Sequence, residues 1–181
     1  MKTRYLSTFQ LILLALFAAL IVVAKIALKL PLKLPGHSGV FWMAIIVVAA
    51  GVVPRRGAAS LVGLTSGLLA AILGLGDFGA LETFVSYLSV GLGTELALML
   101  LGGADRALSG AVVGALGHVA KFVVKWATGA LLGAPAGFVA LGLARSLASY
   151  VIFGALGGLL GALTLAALRR AGFFAYIAEK R

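Results

Sequence analysis

The sequence predicts an all-α integral membrane protein: a six-helix transmembrane bundle with both termini cytoplasmic, built as a single domain over residues 1–181. Three observations carry that prediction. The chain is 62% hydrophobic and only 11% charged, with a mean hydropathy of +1.17, a composition far from that of soluble domains. Six apolar runs are separated by short links rich in glycine, proline and arginine. Finally, nine of the fifteen Lys and Arg residues (Lys2, Arg4, Arg55, Arg56, Arg106, Arg169, Arg170, Lys180 and Arg181) fall on one side of a six-span arrangement, as the positive-inside tendency requires.

The first run, 9–28, continues into Lys25, Lys29 and Lys33 and has no small-residue cleavage signal in the usual place. It is therefore expected to be a retained span rather than a signal peptide. Pro31 and Pro35 end it, and Gly36 and Gly39 permit sharp turns beside His37 and Ser38. The second run, 40–53, is short of the roughly 20 residues that a perpendicular span needs. The tight link Pro54-Arg55-Arg56-Gly57 leads to the third, 58–75, and a Gly-Asp-Phe-Gly link leads to the fourth, 81–101. Gly102-Gly103-Ala104-Asp105-Arg106 turns the chain into the fifth, 107–132. The sixth, 138–168, exceeds one hydrocarbon core, so its first part is expected at the outer surface, with Arg145 near the interface. Trp42 and Trp126 are expected in the outer aromatic belt.

Glycines four residues apart recur inside the spans: Gly63 and Gly67, Gly110 and Gly114, Gly154 and Gly158, Gly157 and Gly161. Such spacing reads as close helix packing. The absence of cysteine from the sequence excludes disulfides, thiolate metal sites and cysteine nucleophiles. The net charge of +10 is placed mostly at span ends, which argues topology rather than nucleic-acid binding.

The polar residues inside the spans point to function, because a charge at mid-bilayer depth costs about 2.5 to 3.5 kcal/mol on insertion scales. His118, Lys121 and Lys125 share one face of the fifth span, with His118 roughly at the midplane. Tyr87, Gly91 and Glu95 form a stripe on the fourth. The lysine stripe has two readings: pairing with Glu95, or with Asp77 and Glu82 above, and capture of an anionic or strongly polar solute. Lys25 and Lys29 read as side chains snorkelling to headgroups, or as part of the same outer excess of positive charge. His37 and His118 with Asp77, Glu82 or Glu95 make a weak metal pattern, lacking any short ligand spacing. Ser149 and His118 offer a nucleophile and a base, but no hydrolase, metalloprotease or nucleotide-binding motif accompanies them. No enzymatic activity and no cofactor are expected.

Six spans in about 180 residues, a basic N-terminus, a long first outer loop and the Pro-Arg-x-Gly turn before a glycine-rich third span together resemble one family. The chain is similar to the substrate-binding S components of energy-coupling factor (ECF) transporters. The resemblance covers nearly the whole chain and implies a multi-pass protein of the prokaryotic inner membrane. It would capture a small water-soluble micronutrient, a vitamin or precursor, at the outer face and deliver it inward when joined to a transmembrane coupling subunit and two ATPase subunits. The family's A-x-x-x-A motif on the first helix, which packs against the coupling subunit, is matched by Ala15 and Ala19.

The biotin, thiamine and riboflavin binding sets of that family do not map onto this sequence. The histidine that follows the initiator methionine in cobalt and nickel members is replaced by Lys2, which argues against metal uptake. The outer Lys and Arg excess favours a ligand carrying carboxylate or phosphate. The residues expected to bind it are His37, Ser38, Tyr87, Glu95, His118, Lys121, Lys125 and Arg145, with His37 and Ser38 as a lid. The alternative is a stand-alone channel or ion-coupled carrier. A divalent-metal importer subunit and an intramembrane enzyme rank below it.

Overall fold

A computed structural model describes residues 6–27, 35–76, 78–132 and 136–174. Lys29, Lys33, Pro31, Asp77 and the terminal basic residues Lys2, Arg4, Lys180 and Arg181 lie outside the described residues. The described residues are all-helical, with no strand: α1 (Thr8–Ala27), α2 (Gly39–Val52), α3 (Ala58–Ile72), α4 (Ala80–Leu101), α5 (Ala107–Leu131) and α6 (Ala136–Arg170). Four stretches are long and apolar enough to cross a membrane, namely α1, α4, α5 and Gly142–Arg170 of α6. The 14 residues of α2 and 15 of α3 reach only about 21 to 23 Å at 1.5 Å per residue.

Local chemistry sets the helix ends. Ser7 and Gln10 form a reciprocal capping box at the start of α1, the Ser7 N–H donating to Gln10 Oε1 at 3.0 Å and the Gln10 N–H to Ser7 Oγ at 3.3 Å. The sequence reading carried α3 to Leu75, but the helix stops at Ile72. Gly74 adopts φ +64°, and the Gly74 and Leu75 N–H groups donate back to the Ala71 and Ala70 carbonyls at 3.2 and 3.0 Å. That is a Schellman closure, open to glycine because the left-handed conformation strains a residue with a Cβ. The sixth element is one unbroken helix of 35 residues, about 52 Å long, of which Gly142–Arg170 is the stretch apolar enough to cross a membrane.

Neighbouring helices close a ring in the order α1, α3, α4, α5, α6, α2. Within it α2 is the most enclosed, burying Trp42, Met43, Ile46, Val47, Ala49 and Val52 among others. A helix that is apolar all round, as α2 is, belongs inside. Trp42 is accordingly 2% exposed and sits in the core, not in an outer belt, whereas Trp126 is 41% exposed.

The regularly spaced glycines form the seams. A Cβ on Gly63 of α3 would stand 2.7 Å from Gly91 Cα of α4, and one on Gly158 of α6 would stand 2.8 Å from Gly114 Cα of α5. On the other face of α6, a Cβ on Gly157 would come within 2.6 Å of the Val40 carbonyl of α2. These distances exclude any side chain, so three helix pairs touch backbone to backbone.

Candidate functional site

Because successive helices alternate in direction, the end of α1, the start of α2, the end of α3, the start of α4 and the end of α5 meet at one end of the bundle, here the upper end. A shallow recess opens there, about 220 Å3 when the open solvent at its mouth is counted. Lys25 of α1 and Lys121 and Lys125 of α5 line it, together with Glu82, Thr83, Ser86 and Tyr87 on one face of α4. Leu75 and Gly76, past the Schellman closure of α3, complete the wall.

Within the recess the charges are organised. Glu82 is 8% exposed; it accepts a hydrogen bond from Ser86 Oγ at 2.6 Å and lies 3.8 Å from Lys125 Nζ. Lys121 is 6% exposed. Its Nζ stands 4.6 Å from the centroid of Trp42 and 4.7 Å from that of Tyr87, a pair of rings stacked at 5.9 Å. A cation over aromatic faces is stabilised by the ring quadrupole, and more so when desolvated. Among the described lining residues, three lysines stand beside one carboxylate, Glu82.

Behind this layer lies His118, 1% exposed. Its ring meets Trp42 edge-on at 5.0 Å and Tyr150 of α6 at 4.5 Å. Nδ1 is 2.9 Å from the Tyr150 carbonyl, and since a carbonyl can only accept, Nδ1 carries the proton. The imidazole fills the space that a side chain at Gly39 would need, and a Cβ on Gly36 would lie 3.1 Å from His118 Cε1 and 3.0 Å from Tyr150. The turn before α2 is thus seated on His118 and Tyr150, and Ser149 Oγ fastens it by donating to the Pro35 carbonyl at 2.6 Å.

The sequence-expected residues divide accordingly. Tyr87, Lys121 and Lys125 line the recess, and His118 lies one layer behind. His37 and Ser38 are half-buried in the seated turn, Ser38 occupying the N-cap of α2 without a side-chain capping bond. Arg145 is exposed on α6.

Glu95 belongs elsewhere. It stands eight residues below Tyr87, about 12 Å down α4, and its carboxylate accepts from the Gly57 N–H at 2.8 Å and the Ala59 N–H at 3.1 Å. Gly57 has no side chain with which to cap α3, so the neighbouring helix supplies the acceptor where the α3 dipole is positive. The pairing of Glu95 with Lys121, one of the readings of the lysine stripe, is therefore replaced by two different arrangements: a backbone cap for Glu95 and an aromatic seat for Lys121. Lys125 takes the carboxylate nearer the top, Glu82.

Sequence reasoning did not place Thr83, Ser86 or Trp42 in this region. The first two had a signal, since positions 82, 83, 86 and 87 share one face of α4. Ser149 and His118, which could have met as nucleophile and base, are each directed to a backbone carbonyl. Among the described residues no three His, Asp or Glu side chains gather as metal ligands.

Ala15 and Ala19 both lie on the exposed face of α1, beside Leu16 and Leu20. Comparison with known proteins gives no match to a family model, to a curated protein or to a solved structure.

Proposed function

We propose that the chain is the solute-binding subunit of an energy-coupling factor importer, with six membrane passages and both termini in the cytoplasm of a prokaryotic cell. It captures a small micronutrient bearing a carboxylate or phosphate in the upper recess. A transmembrane coupling subunit and two ATPases then draw that solute inward. One observation carries the reading: Lys25 of α1 and Lys121 and Lys125 of α5, far apart in sequence, converge on one recess, with Glu82 beside them among the described residues. Positive charge inside a bundle is expensive, and an anionic solute in the recess would add to the interactions that offset it. The exposed Ala15 and Ala19 on α1 leave room for a second membrane subunit to approach closely.

The test is to purify the full chain from host membranes, extract what it retains and identify it by mass spectrometry. An anionic solute is expected, kept by an Ala15→Trp, Ala19→Trp double variant and lost by Lys121→Met. The double variant should also fail to co-purify with the coupling subunit. A neutral or cationic solute would overturn the anion reading, and undiminished co-purification would remove α1 from the coupling interface.

A further inference from the structure

The helices around the recess contribute groups of opposite hydrogen-bonding character. Lys25 of α1 and Lys121 and Lys125 of α5 bring ammonium groups, which only donate. The α4 wall presents Glu82, Thr83 and Ser86. Both hydroxyls on that wall have already committed their hydrogens: Thr83 Oγ1 donates to the Gly79 carbonyl at 2.7 Å, and Ser86 Oγ donates to Glu82 Oε1 at 2.6 Å. What these two residues have left is lone pairs.

Glu82 divides its carboxylate unevenly. Oε1 takes both the Ser86 hydrogen bond and the Lys125 ion pair, the latter at 3.8 Å. Among the described residues no group donates to Oε2. Nor is Oε2 sealed in the core, as Trp42 Nε1, Thr94 Oγ1 and His118 Nε2 are. It opens on the recess, although the side chain as a whole is only 5% exposed. A carboxylate withdrawn that far from water gains more from a donor than an exposed one does.

We propose that Glu82 selects the solute by a second group: the solute is an acid that also carries a hydroxyl or N–H donor beside its anionic group. This rests on the reading of the recess as an anion site and adds the chemical class of the solute and the residue that recognises it. The lysines hold the acid. A bare acid brought to Lys125 also comes close to the Glu82 carboxylate, since Lys125 Nζ lies 3.8 Å from Oε1, and like charges in a weakly screened site repel. A donor on the neighbouring atom of the solute delivers a hydrogen to Oε2 and makes that side of the site attractive. An acid of the same size without the donor keeps only the repulsion, so the selection works by rejection as much as by attraction.

Acetate and glycolate share a carboxylate and differ by one α-hydroxyl; propionate, with a methyl group in its place, controls for size. Each is titrated into the purified full chain at neutral pH and constant ionic strength, with binding followed by calorimetry. Glycolate should bind about tenfold tighter than acetate or propionate, the scale of one hydrogen bond to a charged group. Glu82→Gln keeps the shape of the side chain and removes its charge. In that variant the preference should fall to about threefold or less, the scale of a bond between neutral groups, while acetate binds no more weakly than before. If Glu82 only balances Lys125, both acids gain equally from the substitution and the preference does not change.

Glycolate binding no tighter than acetate overturns the inference and leaves the recess an anion site; this comparison needs no variant, so it decides even where Glu82→Gln fails to fold. A preference that survives Glu82→Gln at full size assigns the hydroxyl to another residue and overturns the role of Glu82. No saturation with glycolate overturns the inference as well. The solute-capture reading is decided separately, by the charge of what the purified chain retains. A retained anion with no hydroxyl or N–H group would uphold capture and overturn the selection by Glu82.

Discussion

Replacing Glu95 tests whether its carboxylate serves the bundle or the recess. The structure gives it two acceptor bonds, to the Gly57 and Ala59 N–H groups, and no place in the recess wall. Glu95→Ala leaves two partly buried donors at the start of α3 without an acceptor, at about 1 to 3 kcal/mol each. Loss of favourable charge at the helix N-terminus adds a few tenths. Because the site is only partly buried, the lower half of that range applies, and the expected loss is about 2 to 4 kcal/mol. Glu95→Gln keeps one carbonyl acceptor and should lose roughly half as much.

The assay is reversible unfolding of the full chain in mixed micelles titrated with denaturing detergent, for Glu95→Ala, Lys121→Met and the double variant. Sites well apart with no shared partner add to within about 0.5 kcal/mol, so the double loss should equal the sum of the single ones. Anion affinity should be unchanged by Glu95→Gln. A coupling above about 1 kcal/mol between the two sites, with the double variant regaining stability, would refute the assignment and restore a Glu95–Lys121 ion pair.

Two further expectations follow from the packing. Gly158→Ala should destabilise by about 1 to 3 kcal/mol in the same unfolding assay, because its Cβ meets Gly114 Cα and the Gly110 carbonyl. Gly129→Ala and Gly142→Ala, which meet nothing within 4 Å, should be neutral or gain up to about 1 kcal/mol from helix propensity; equal effects at all three positions would deny the seam. Ser149→Ala removes the bond to the Pro35 carbonyl and should speed hydrogen exchange at the Gly39 amide about fivefold, the equivalent of one ordinary hydrogen bond. Unaltered exchange there would mean that the turn is held by the His118 and Tyr150 contacts alone.

What could be read from the sequence was mostly what local pattern determines. Apolar runs bounded by glycine and proline located the six helices, and four-residue glycine spacing on the third, fifth and sixth marked faces that meet other backbones. The end of α3 was missed by three residues because Leu73 and Leu75 look helical, while Gly74 between them ends the ladder. The Ser7–Gln10 capping box was equally local and passed unread.

The harder failures were non-local. Glu95 looked like a partner for charge, but its partners are amides 36 and 38 residues away, which advertise nothing in a sequence. Trp42 followed the belt tendency on paper, yet the helix bearing it is apolar all round and is therefore drawn inward. The lysine stripe pointed toward the recess in part, since Lys121 and Lys125 do line it. The seat of Lys121 on two rings depends on helices α2 and α4 arriving together, and no single stretch encodes that.

The glycine seams also bear on how the molecule can move. Elsewhere in proteins a small displacement between helices is absorbed by side chains hopping between rotamers, each with its own entropy. Where α5 meets α6 at Gly114 and Gly158, and α6 meets α2 at Gly157, there is no side chain on the glycine to hop. A seam of that kind is assembled without freezing any rotamer there, and it has no soft element to yield under shear. Relative sliding of α2, α5 and α6 would drive carbonyls into Cα atoms, so these three helices translate as one block. Rearrangement is left to the helices outside that block, among them α1, whose contacts with α2 and α3 are made by ordinary side chains such as Leu14, Ile21 and Val22. The peripheral helix α1 is thus free of the constraint that locks those three together.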